Sequence, residues 1–354
     1  MSEAPAFDVV IIGGGAAGLM CAIECGKRGR RAIVIEHANR IGKKILLSGG
    51  GRCNFTNTNA APANYISRNP HFVKSALARY TPADFIALVD KHGIAWHEKK
   101  LGQLFCDDSA KLIVQMLADE CRVNGTQILT QCPTDDILHD ERGFLLRTGR
   151  GAFRCTSLVI ATGGLSFPTM GASDFGYRIA RQFGLDVLPT RAALVPLTLA
   201  GDELAMANEM SGVSLDSNAR CADAAFRENL LFTHRGLSGP AILQVSSYWR
   251  EGDRIEIDLL PGQDGADWLL DAKRARGRAR LKSLLAEKLP NRFVEELETR
   301  WFENRILAEC ADSALRVLGE RLNAWHVLPN GSEGYRTAEV TSGGVNTDEL
   351  SSKT

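Results

Sequence analysis

Phe7-Asp8-Val9-Val10-Ile11-Ile12-Gly13-Gly14-Gly15-Ala16-Ala17-Gly18 is the segment whose reading decides the fold. Its first half is a continuous, β-branched apolar run, which suits a parallel strand buried on both faces. Leu19 to Gly26 follows as a helix-forming stretch with a glycine stop, and Arg31-Ala32-Ile33-Val34-Ile35-Glu36 reads as a second buried strand ending in an acid. Strand, Gly-x-Gly-x-x-Gly, helix, strand and terminal acid together form a dinucleotide-binding β-α-β unit. Gly13 permits the tight turn, Gly15 lets a pyrophosphate approach the backbone, and Gly18 lets helix and strand pack closely. The helix start at Ala16 and Ala17 offers free N–H groups to phosphate. Glu36, 23 residues after Gly13, is placed to accept hydrogen bonds from a ribose diol.

The composition sets bounds around this unit. A chain of 354 residues has room for two or three domains. At 44% hydrophobic and 24% charged it has the balance of an ordinary soluble globular protein. Lys+Arg and Asp+Glu both number 42, so no global charge points to nucleic acid or to a membrane surface. The nine cysteines are scattered, without a Cys-x-x-Cys or a zinc-like Cys/His spacing, so no metal is expected and the thiols fit a reducing, cytoplasmic setting. The apolar N-terminal run lacks a basic flank and is cut by glycines, so it is not read as a targeting segment.

Three further motifs carry chemistry. Gly42-Lys43-Lys44-Ile45-Leu46-Leu47-Ser48-Gly49-Gly50-Gly51-Arg52-Cys53-Asn54-Phe55-Thr56-Asn57 lies in a stretch, 37–69, with little periodicity. Its three glycines let backbone lie against a flat ligand, while Ser48, Arg52 and Asn54 supply polar groups that suit a flavin's pyrimidine edge. Val159-Ile160-Ala161-Thr162-Gly163-Gly164 ends a third buried parallel strand at the carboxyl edge of the sheet, where open α/β folds bind ligands. Phe232-Thr233-His234-Arg235-Gly236-Leu237-Ser238-Gly239-Pro240 has two readings that do not exclude each other. It is a substrate-facing loop with His234 as candidate proton donor, or a strand-to-helix turn with Pro240 in the first helical turn.

The long loop motif, the His234 motif and Ala338-Glu339-Val340-Thr341-Ser342-Gly343-Gly344-Val345 occur in one order along the chain. Together they resemble a bacterial family of NAD(P)/FAD-dependent oxidoreductases, the aminoacetone oxidase-like or 3-dehydro-bile-acid Δ4,6-reductase-like flavoproteins. The resemblance implies an α/β fold: a Rossmann-like FAD domain of the two-dinucleotide-binding type. An antiparallel, β-barrel-like insert with a helical subdomain interrupts it. The expected division is an FAD domain over 1–189, an insert over 190–335 (strands to 262, helices over 266–326), and a return over 336–354. The resemblance also implies non-covalent FAD. The expected cofactor residues are Gly13, Gly15, Ala16, Ala17, Gly18, Glu36, His37, Arg40, Lys44, Ser48, Gly49, Gly50, Gly51, Arg52, Cys53, Asn54, Thr162, Gly163 and Gly164. Family members continue past the position of Thr354, so the expectation is a chain without the family's C-terminal tail and with an incomplete flavin end.

The expected reaction passes a hydride between the flavin and a small organic substrate or NAD(P)H. No second Gly-x-Gly-x-x-Gly follows a strand, so a nicotinamide would have to dock over the flavin itself. A fumarate-reductase-like flavoprotein is the rival enzyme reading, although the paired His/Arg clamp it needs is not found. A flavin-binding, nucleic-acid-associated protein is the non-catalytic rival, resting on the basic run from Lys273 to Lys282. That run lacks interleaved aromatics and reads better as a solvated helix face. The sequence fixes no oligomeric state.

Overall fold

In a computed structural model, which describes residues 4–351, the opening strand Ala6–Ile12 takes the centre of a six-stranded sheet. The order across it is Gln127–Leu129, Ala32–Ile35, Ala6–Ile12, Gly151–Ile160, Gly143–Thr148, Thr134–Asp140. The first four strands run parallel and the last two extend the sheet antiparallel. Side chains alternate across a strand, so Val9 and Ile11 enter one core while Val10 and Ile12 enter the other, which Phe7 also joins from the strand's start. Burial on both faces explains why the run reads as continuously apolar. Helices Ala16–Lys27 and Ala110–Val123 contribute to the first core, and helix Phe175–Gln182 contributes Ile179 to the second.

Several expected elements take a different form. Residues 70–92 hold two helices, Phe72–Arg79 and Pro82–Lys91. Pro82 lacks an N–H and suits a first helical turn, and Thr81 caps the new helix, its hydroxyl and Asp84 forming a reciprocal capping box. The 37–69 stretch is more regular than expected, with helix Lys43–Leu47, a 3-10 turn Ser48–Gly51, and strand Asn54–Asn57 paired with Gln103–Cys106. The third parallel strand is half-buried toward its end, where Ile160 is 36% exposed at the carboxyl edge.

Glu120, on the inner face of helix Ala110–Val123, is buried beneath Lys91 and His92, whose side-chain nitrogens lie 2.6 and 2.7 Å from its Oε1. The Lys91 hydrogen bond, then that of His92, holds the carboxyl below its ordinary range against the opposing effect of burial. A lowered folded value means that the stabilisation is full above the unfolded value near 4.5 and is lost as pH falls through the folded one. Glu120→Gln is therefore expected to destabilise the first unit by about 1–3 kcal/mol at pH 7, with a smaller deficit at pH 4. Urea midpoints at the two pH values test this; an unchanged deficit would remove the electrostatic account.

The chain divides into two compact units: Met1–Gly164 with Pro168–Pro189 and Gly343–Thr354, and Leu165–Phe167 with Thr190–Ser342. The return thus comes at Gly343, beyond the 336 read from sequence. The second unit holds a seven-stranded antiparallel sheet. Its edge strands, Trp325–Val327 and Gly331–Ser332, are separated by only residues 328–330. Such a link spans at most about 14 Å, so the sheet must curl until its two edges approach. Phe232 lies at the centre of this unit's core, with ring centroids 5.5 Å from Phe293 and 6.1 Å from Trp325. Helices Gly265–Ala275 and Asp312–Asn323 touch at Gly319, where a Cβ would meet the Ala266 nitrogen at 2.2 Å.

Candidate functional site

The opening strand ends in a turn that only glycine fits. Gly13 has φ +113°, donates its N–H to the Ile35 carbonyl, and would place a Cβ 2.4 Å from the Ala161 carbonyl oxygen. Gly18, one helical turn on, would place a Cβ 1.9 Å from the Gly13 carbonyl oxygen. These two positions seat helix Ala16–Lys27 against the strand and bring the Ala161–Thr162 segment alongside the turn. Gly15 is different: it has φ −84° and nothing within 4 Å of a Cβ built on it. It caps the helix without a side-chain hydrogen bond, and no acid stands in the first turn. The backbone N–H groups at Ala16 and Ala17 therefore keep the positive end of the helix open to an anion.

Glu36 is buried, and both of its carboxylate oxygens already bond the backbone: Gly14 N–H donates at 2.7 Å and Ala38 N–H at 2.8 Å. Its lone pairs leave capacity for a ribose hydroxyl as well. Beside it, His37 Nδ1 lies 3.0 Å from Glu36 Oε1, and the Nε2 end of the ring lies against Gly171, where a Cβ would meet Nε2 at 2.4 Å. Arg40 is exposed, and Lys44 lies on the short helix Lys43–Leu47.

The glycine loop is joined to this turn by the Gly42 N–H donating to the Gly14 carbonyl at 2.8 Å. Ser48 bonds the Ile45 carbonyl through its hydroxyl, and Gly49, Gly50 and Gly51 all adopt left-handed backbone. A Cβ on Gly49 would strike the Phe105 ring and the Asn54 nitrogen at 2.8 Å, whereas Gly50 and Gly51 face open space. Arg52 and Asn54 are exposed, but Cys53 points into the core at 5% exposure. Burial raises the Cys53 thiol above its ordinary pKa, so it is a packing residue in a left-handed corner (φ +53°) and not a ready thiolate.

The segment Thr162-Gly163-Gly164 closes the set. Gly163 is left-handed with open space around it, and Thr162 Oγ1 is buried without a hydrogen-bond partner. An orphaned buried hydroxyl and four open positions (Gly15, Gly50, Gly51 and Gly163) are what a bound dinucleotide with a flat ring would complete. The residues present therefore fit such a group.

His234 lies in the second unit, exposed in the turn between strands Ala224–Thr233 and Gly236–Ser238. The segment after it follows the capping reading: helix Pro240–Ser246 starts behind Gly239 (φ +87°). Ala38 and Gly171 were not singled out from the sequence, and Gly42 only as the start of the loop motif. Both glycines have a positive φ and close contacts in the structure, but a glycine in the sequence does not say what approaches it.

The basic run is largely neutralised. Lys273 pairs with Asp312, Arg274 with Asp271, Arg276 with Glu287 and Lys282 with Glu298. Among the described residues, no helix is long and apolar enough to cross a membrane.

The family described as HI0933-like protein Rossmann domain matches residues 7–354. The ribosomal RNA dihydrouridine synthase of Escherichia coli (strain K12) is 52% identical, over 98% of this chain and 88% of its own length. The 3-dehydro-bile acid delta(4,6)-reductase of Clostridium scindens is 25% identical, over 96% of this chain and 87% of its own. Among solved structures, glycine oxidase from Geobacillus kaustophilus is 18% identical with a TM-score of 0.37, covering 54% of this chain and 64% of that one.

Proposed function

The chain belongs to the HI0933-like Rossmann-domain family, and from that premise we propose that it is an FAD-dependent oxidoreductase that reduces a uracil ring in ribosomal RNA. The observation that carries the reading is 52% identity, over nearly the whole chain, to a protein named ribosomal RNA dihydrouridine synthase. The open phosphate turn and the orphaned Thr162 hydroxyl support the cofactor half of it.

The chemistry balances with a nicotinamide as reductant. Uridine, NAD(P)H and a proton give dihydrouridine and NAD(P)⁺, with the C5=C6 bond taking up two electrons and two hydrogens. Bound FAD supplies the hydride-level redox chemistry that protein side chains lack. The chain's own residues hold and orient. The helix start at Gly15–Ala17 offers N–H groups to the pyrophosphate, and Glu36 accepts from the ribose. Gly49–Gly51 and Thr162–Gly164 give a close, polar backbone surface to a flat ring. Because C5 of the uracil must gain a proton, a proton carrier is required, and His234 is the candidate the sequence supplies.

The test is direct. The purified chain is incubated without oxygen with NADPH and unmodified ribosomal RNA, and the RNA is digested to nucleosides for mass spectrometry. The expected result is a uridine heavier by two hydrogens, made by a yellow protein that releases FAD on denaturation. FAD release and NADPH oxidation without any dihydrouridine would overturn the RNA substrate and leave the flavoprotein; a colourless protein would overturn both.

A further inference from the structure

Between Glu36 and Asp84 the chain carries no Asp or Glu at all, yet it carries seven Lys or Arg residues, in a protein whose formal net charge is zero. It is the longest acid-free stretch in the sequence, and six of its seven cations are not matched by carboxylates from elsewhere. Arg40, Lys43, Arg52, Arg68, Lys74 and Arg79 take part in none of the ion pairs among the described residues. The neighbouring acids are engaged elsewhere. Asp84 caps Thr81, Glu98 accepts the Gly102 N–H, Asp107 lies 2.6 Å from His97, and Glu24 pairs with Lys27. The contrast with the basic run Lys273–Lys282, most of whose cations are matched by carboxylates, is direct.

The same stretch is also exposed. From Asn54 to Leu88 no residue is buried, although the segment contains the helix Phe72–Arg79. Tyr65 (47% exposed), Ile66 (53%) and Tyr80 (37%) stand among the cations. Unpaired Lys and Arg interleaved with exposed aromatic faces are what a nucleic-acid strand requires. The cations meet phosphates, releasing counterions, and the rings offer stacking platforms to bases. Asn64 and Asn69 spend their Oδ1 atoms on the Ala61 and His71 N–H groups and keep their side-chain NH2 donors for a partner.

We propose that residues 58–80, centred on Arg68, Lys74 and Arg79 with Tyr65, form the surface by which this chain docks its ribosomal RNA substrate. The inference rests on the RNA reading above and adds the place of contact. RNA is favoured over an anionic membrane because the exposed groups are rings and amides spread through a loop and one eight-residue helix, not a long amphipathic helix with a continuous apolar face.

The test compares the full chain with Arg68→Glu/Lys74→Glu/Arg79→Glu and with Arg278→Glu, an exposed cation of the other run. Each protein is titrated against protein-free ribosomal RNA at several salt concentrations and against phosphatidylglycerol vesicles, with FAD content and NADPH oxidation measured alongside. The expected result is at least about a tenfold loss of RNA affinity in the triple variant and a salt slope smaller by about two, with FAD content kept and Arg278→Glu unchanged. RNA affinity equal to that of the unaltered chain in a triple variant that holds FAD would overturn the surface while leaving the substrate reading intact. An unaltered chain that makes no dihydrouridine and binds only vesicles would overturn both. If the triple variant fails to fold, the single changes Arg68→Gln, Lys74→Gln and Arg79→Gln replace it. A graded loss of affinity then supports the surface and no loss overturns it.

Discussion

Gly18→Val is expected to abolish flavin binding and to destabilise the first unit by about 3 kcal/mol or more, the range for forcing side-chain volume into a packed contact. The cause is backbone against backbone. A Cβ at Gly18 would stand 1.9 Å from the Gly13 carbonyl oxygen, and no rotamer relieves a contact made by the first side-chain atom. Helix Ala16–Lys27 must lift off the strand, and that movement disturbs the turn whose N–H groups face the pyrophosphate. Gly15→Ala separates the two consequences. Nothing lies within 4 Å of a Cβ there and φ is −84°, so the folded chain accepts alanine with stability changed by no more than about 0.5 kcal/mol. The new methyl fills the side left open for the cofactor, so flavin content should still collapse. Urea unfolding and bound-flavin absorbance, measured on both variants, decide the matter. A Gly15→Ala protein with full flavin content would remove this turn from the cofactor site.

The second large effect is expected at Glu36. Glu36→Ala withdraws the acceptor of two backbone N–H groups, Gly14 and Ala38, and should destabilise the first unit by about 2–4 kcal/mol, since an unmet buried donor costs about 1–3 kcal/mol. It also removes the proposed partner of the ribose, so flavin affinity should fall by about tenfold to a hundredfold, as for losing a hydrogen bond to a charged group. Glu36→Gln keeps one acceptor oxygen and should fall between the two. The Gly14 N–H belongs to the phosphate turn itself, so the carboxylate shapes that turn as well as facing the cofactor. Flavin fluorescence titration and unfolding midpoints for both variants check this. A Glu36→Ala chain with unchanged stability would mean that water satisfies both N–H groups and that the carboxylate is not structural.

The local reading of the first β-α-β unit agrees closely with the structure because each step depends on neighbours in sequence. The apolar run pairs on both sides, the turn needs left-handed backbone at Gly13, and the acid stands one residue past strand Ala32–Ile35. Legibility fell where partners are distant. The second unit's sheet recruits Trp325–Val327 and Gly331–Ser332, more than 90 residues from strand Ala224–Thr233, and nothing in those short segments announces a strand. Helix Gly201–Glu209 went unread because its stretch mixes acids and alanines with a weak apolar stripe.

The same division runs through the site. Sequence by itself determined the dinucleotide turn, the acid that follows it, the glycine loop and the acid-free stretch from 37 to 83, because these are matters of residue identity and short-range backbone geometry. Tertiary structure alone decided which of these groups are spent and which are available. It buried Cys53, gave both Glu36 oxygens backbone partners, left Thr162 Oγ1 without one, matched four of the six 273–282 cations with carboxylates, and left those around Arg68 unmatched. The physical reason is that hydrogen bonding, burial and charge pairing are satisfied by groups close in space, and a chain records its own order but not which distant segments its fold will bring together.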